Sequence, residues 1–152
     1  MNYAIVFRLL GYILMIEGVL LLLPAATSLI YAEWAVMGVF LLTAAISAAL
    51  GLGLRTIKPR SKVFYMREGF AATALSWIAI SIVGAVPFVL TGCIPNPVDA
   101  LFETVSGFTT TGASILPAVE GLPNGILFWR SFTHWIGGMG VLVFLLSLLP
   151  LT

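Results

Sequence analysis

Asn96-Pro-Val-Asp-Ala-Leu-Phe-Glu-Thr-Val-Ser-Gly-Phe-Thr-Thr-Thr-Gly-Ala-Ser114 is too polar to cross a bilayer, yet it lies between two apolar blocks that can. Its first half reads as a short helix over about 97–107. Asn96 suits the N-cap, Pro97 the first helical position and Asp99 the first turn, where negative charge is favoured. Ala100, Leu101, Thr104 and Val105 recur at spacings of three and four, giving one apolar face. Gly107 is placed to stop the helix. About ten residues of helix span roughly 15 Å, half of a hydrocarbon core. Thr109, Thr110 and Thr111 are β-branched and favour an extended strand, and Gly112 permits unusual dihedrals.

Outward from this stretch the chain is apolar. Of its 152 residues 61% are hydrophobic and 9% charged, where a soluble domain carries roughly 45–50% and about 25%. The mean hydropathy is +1.13. Four blocks are long enough to cross a membrane, at about 5–23, 34–54, 69–90 and 125–149. The first resembles a signal peptide in Arg8 and Ala25-Ala26, but its apolar run is too long and Glu17 interrupts it, so a retained helix is expected. Pro24 lies near its end, and Pro87 is expected to kink or end the third block.

Five of the seven basic residues, Arg55, Lys58, Arg60, Lys62 and Arg67, fall between the second and third blocks. Short cytoplasmic loops collect Lys and Arg, which predicts a cytoplasmic N-terminus and an external 91–124 segment. Trp34 and Trp129 are read as interfacial anchors. The charge balance offers no stripe for nucleic acid. One cysteine, Cys93, and one histidine, His134, supply neither a disulfide nor a metal cluster, and His134 has no partner to activate a nucleophile. The expectation is a protein that is not an enzyme and binds no covalent cofactor.

Between two membrane helices, the short helix and the Thr-Thr-Thr-Gly run admit two readings. One is an external loop with a surface helix. The other is a re-entrant pore loop, since non-helical backbone at membrane depth occurs where it is buried or lines a water-filled cavity. In that reading the carbonyls of Thr109, Thr110, Thr111, Gly112 and Ala113 face a permeating cation and replace its water. The helix C-terminus, partly negative, favours the same cation.

Asp99 through Ser114 resembles the first pore loop of the Trk/Ktr/HKT superfamily of potassium transporters, in its bacterial TrkH-type branch. Leu127-Phe-Trp-Arg-Ser-Phe-Thr-His-Trp-Ile-Gly-Gly-Met-Gly140 is similar to the helix that follows it there. The resemblance implies an all-α membrane protein with two N-terminal transmembrane helices followed by one helix–pore loop–helix repeat. Residues 1–67 form the two-helix unit and 68–152 the repeat, with the filter at 109–113. It implies four such repeats around one pore, with Gly112 as the filter glycine and potassium at Thr110, Thr111 and Gly112. It also implies a cytosolic nucleotide-binding regulatory subunit and a bacterial inner-membrane location. Since one strand cannot surround an ion, the remaining three repeats of a longer chain, or further copies, are expected as partners besides membrane lipid. A homotetrameric channel and a non-conducting accessory subunit are the alternatives.

Three further expectations concern charge and packing. Glu103 and Arg130 are opposite charges inside the membrane zone, where charges are rare and paired, and are expected to support the filter. Gly137, Gly138 and Gly140 suit close helix packing or a hinge. Glu17 is expected to be hydrogen-bonded or shielded by lipid.

Overall fold

The computed structural model describes residues 2–148, with side chains through Val143. Six helices follow one another: α1 (Tyr3–Leu20), α2 (Leu22–Ile30), α3 (Trp34–Arg55), α4 (Met66–Leu90), α5 (Pro97–Phe108) and α6 (Asn124–Leu148). Among the described residues, three runs are long and apolar enough to cross a membrane: Tyr3–Ile30, Trp34–Arg55 and Met66–Leu90. The chain is an all-α membrane protein.

The first run extends beyond the expected end at Leu23. Leu21 interrupts α1 and α2 only locally, and its amide still bonds the Glu17 carbonyl at 2.9 Å. Pro24 falls in the first turn of α2, where a missing N–H costs little. Pro87 likewise sits inside α4, which continues three residues further to Leu90. Gly92, at φ +76°, then turns the chain out of the helix.

Small residues set the α1–α3 contact. A Cβ on Gly11 would come within 2.7 Å of the Gly51 carbonyl, and one on Gly51 within 2.6 Å of the Gly11 carbonyl. Gly18 meets Ala44 and Ala48 in the same way. With no hydrophobic drive between helices in lipid, such close approach and the dispersion it brings hold the pair. The Ser47 hydroxyl adds a bond to the Leu14 carbonyl at 2.6 Å.

Two sets of polar contacts show which ends share a side. The Asn2 amide donates to Glu68 at 3.0 Å and its side chain to the Ser61 carbonyl at 3.0 Å, tying the N-terminus to the basic loop. At the other side Glu33, between α2 and α3, accepts from the Asn124 and Gly125 amides at 2.7 and 3.0 Å. A carboxylate there satisfies free N–H groups and complements the positive end of α6.

The core departs from expectation at two residues. Trp129 is fully buried rather than interfacial, with its indole N–H on the Gly84 carbonyl at 3.0 Å and its ring edge-on to Phe40 and Phe108. Its phase on α6 turns it inward, whereas Trp34 is 63% exposed at the start of α3. Glu17 is buried too, and neither carboxylate oxygen has a partner among the described residues. It is therefore turned into the protein and not toward lipid.

Candidate functional site

α5 begins as its sequence dictates: the Asn96 side chain accepts from the Val98 amide at 3.0 Å, and Pro97 opens the helix. Its 12 residues span about 18 Å, too short to cross a bilayer. Gly107 does not stop it, and the helix runs on to Phe108. The glycine is needed for a different reason, since any side chain there would run into the Thr133 hydroxyl of α6. Gly137 answers from the other helix, because a Cβ on it would strike the Phe108 carbonyl. Gly138 faces the Thr110 methyl at 3.9 Å and Gly140 the Trp77 ring at 3.3 Å. α5 and α6 thus touch almost backbone to backbone beside the loop.

The helix ends one step later than Gly107 and by another device. Thr109 keeps helical dihedrals and Thr110 takes φ +57°. The Thr110 amide bonds the Gly107 carbonyl and the Thr111 amide bonds the Ser106 carbonyl, both at 2.9 Å. This is the Schellman closure, with threonine where glycine is usual. Thr109 and Thr110 are therefore not the extended strand that their β-branched side chains favour. Helix-end hydrogen bonds outweigh that local preference. A β-branched residue at positive φ is an outlier of the kind that collects at functional sites.

The returning side of the loop is pinned as well. The Ser106 hydroxyl donates to the Ala113 carbonyl at 2.5 Å, so this carbonyl turns toward α5. Glu103, its side chain 2% exposed, takes Arg130 Nε at 2.7 Å, the Ser114 hydroxyl at 3.0 Å and the Ile115 amide at 3.1 Å. One carboxylate thus joins α5, α6 and the outgoing loop segment. The Arg130 carbonyl in turn meets His134 Nδ1 at 2.9 Å and accepts from Thr133 at 2.7 Å.

Between these two anchors lie Thr110, Thr111 and Gly112, all exposed. Among the described residues their carbonyls accept no hydrogen bond, whereas those of Thr109 and Ala113 are engaged by Thr110 and Ser106 hydroxyls. Gly112 stands at φ +80° with open space where a side chain would begin. The structure brings Glu103 and Arg130 together beside the loop and sets Gly137 against its root. Sequence reading missed Ser106, Ser114 and the Ile115 amide as partners. Ser106, three residues past Glu103, and Ser114, eleven past it, carry no signal until the chain folds back on itself.

A short helix, a tightly held loop and a long helix packed behind it follow the three apolar runs of an all-α membrane protein. The family model of the TrkH cation transport proteins matches residues 35–152. The chain belongs to that family, whose work is transport rather than catalysis. An uncharacterized cation transporter of Methanocaldococcus jannaschii is 39% identical over 139 residues, covering 91% of this chain and 29% of the relative. The Trk system potassium uptake proteins TrkH of Halomonas elongata and of Escherichia coli are each 35% identical over 156 residues. They cover 99% of this chain and 31% and 32% of the relatives. The chain thus spans about a third of the length of the curated relatives it matches.

Proposed function

We propose that residues 68–152 form one helix–pore loop–helix repeat of a potassium-uptake pathway, behind a two-helix unit at 1–67. The carbonyls of Thr110, Thr111 and Gly112 take the place of water around a dehydrated potassium ion. The observation that carries this reading is the run of three unengaged carbonyls between two hydrogen-bonded anchors, at the partly negative end of α5. Thr109 and Ala113 flank the ion path, with Ala113 acting through its contact to Ser106. Glu103 and Arg130 hold the loop at a fixed height rather than touching the ion.

The potassium named in the Halomonas and Escherichia relatives supports the choice of ion. One loop covers one side of an ion, so three further repeats, or further copies of this chain, complete the ring. The basic loop at 55–67 supports a cytoplasmic N-terminus, and the Trk relatives of Halomonas and Escherichia support a bacterial inner-membrane location. A cytosolic nucleotide-binding subunit docks on that side.

The test exchanges this chain for the matching third of the Escherichia relative and measures potassium and sodium flux in proteoliposomes. Potassium-selective flux is expected, and Gly112→Ser makes it non-selective or abolishes it, because a side chain at φ +80° distorts the carbonyl run. Unchanged flux and selectivity in Gly112→Ser overturns the proposal. The same measurement on the chain alone separates the homotetramer from the four-repeat pore.

A further inference from the structure

The α1–α3 pair carries a feature unrelated to the loop. Its outward face holds an open groove of about 700 Å³, lined almost wholly by carbon. Gly18, Ala44, Ala45 and Ala48 line it because small residues leave the space unfilled, and Tyr12 and Leu52 lie at one end. Along α1 and into the start of α2 the lining runs from Tyr12 to Leu22, about 15 Å of helix, which is half of a hydrocarbon core.

The Tyr12 end is basic. The Arg55 guanidinium sits 5.5 Å from the centre of the Tyr12 ring, and Arg8 lies one turn earlier on the same face of α1. The ion pair found among the described residues is Glu103–Arg130, so neither Arg8 nor Arg55 has a carboxylate partner there. Two unpaired guanidiniums at the mouth of an apolar groove one leaflet deep match a molecule with a negative head and a hydrocarbon tail. A transmembrane helix of a partner would need a seat about twice as long.

We propose that this groove binds an anionic phospholipid, its phosphate held by Arg8 and Arg55 beside the Tyr12 hydroxyl, and one acyl chain lying along Ala44, Ala45 and Ala48. Arginine suits the head because its planar fork matches phosphate oxygens. The site is distinct from the diffuse attraction of Lys58, Arg60 and Lys62, which lie in the loop beyond α3.

Native mass spectrometry of the whole chain, released from micelles with equimolar dioleoylphosphatidylglycerol and dioleoylphosphatidylcholine, tests this. The expected result is roughly thirtyfold preferential retention of the phosphatidylglycerol, from about 1 kcal/mol for each of two arginines at an anionic head group. R8Q/R55Q abolishes the preference, and R8K/R55K keeps only part of it, because an ammonium retains the charge and loses the fork. Ala45→Trp, on an exposed position and so harmless to the fold, lowers retention of both lipids. Lys58→Gln with Lys62→Gln leaves the preference in place. Equal retention of the two lipids by the unaltered chain overturns the proposal, as does a preference that survives R8Q/R55Q. A lipid-free dimer that Ala45→Trp dissociates overturns it too, assigning the groove to protein.

Discussion

Glu103 holds α5, α6 and the loop through Arg130, Ser114 and the Ile115 amide, whereas α1 and α3 meet at Gly11, Gly51 and Gly18 with one side-chain bond between them, Ser47 to the Leu14 carbonyl. Both regions pack against the apolar helices of the same chain. The difference follows from their backbones. A helix satisfies its own amides, so two helices in lipid need only shape and close approach. A loop leaves amides and carbonyls bare, and at membrane depth each must be met by protein or by water in a cavity. Polar side chains therefore concentrate around 103–115, and small ones along the α1–α3 seam.

The largest expected effect breaks the polar half of this comparison. Glu103→Ala leaves the Arg130 charge without its partner and frees two loop donors, which costs roughly 3–5 kcal/mol. Because Arg130 is 22% exposed and can draw in water, the lower end of that range applies. Glu103→Gln keeps an acceptor for Ser114 and Ile115 and loses less. Thermal unfolding in micelles measures both, and equal losses would assign the effect to charge instead of hydrogen bonding.

Shape is tested next, in both regions at once. Gly137→Val drives a side chain into the Phe108 carbonyl, and Gly11→Val drives one into the Gly51 carbonyl; each costs about 1–3 kcal/mol by overpacking. Amide exchange distinguishes them. Gly137→Val exposes the Thr110 and Thr111 amides, while Gly11→Val leaves these protected and loosens α1. Loop deprotection by Gly11→Val would show that the two regions are one mechanical unit.

The smallest effects concern backbone conformation. Thr110→Gly relieves a β-branched residue at φ +57° and is expected to stabilise by up to ~1 kcal/mol. Destabilisation would mean that the Thr110 hydroxyl bond to the Thr109 carbonyl, at 2.7 Å, outweighs the strain. Gly53→Ala, in α3 with open space around it, serves as the reference and stabilises by about 1 kcal/mol. Denaturant titration reads both.

Much of the architecture was legible in residue order alone. Hydropathy placed the long helices, because lipid as solvent demands long apolar runs whatever their neighbours. Asn96 and Pro97 marked the start of α5 to the residue, because caps act over one turn. The charge of Glu103 and Arg130 signalled a pair, because unpaired charge at that depth is costly. Contacts across the fold were not legible. Nothing near Glu33 announces that it caps α6 ninety residues away, and nothing in the Trp129 stretch fixes the phase that buries its ring. Thr109–Thr111 favoured an extended strand locally, yet the closing bonds of α5 bend Thr110 into the left-handed region. By itself the sequence determined which segments are long and apolar enough to cross a membrane and where α5 begins, since solvent and local sterics act along the chain. The tertiary structure alone decided which three carbonyls stay unengaged, since that depends on donors supplied by Ser106 and Glu103 once the loop folds back.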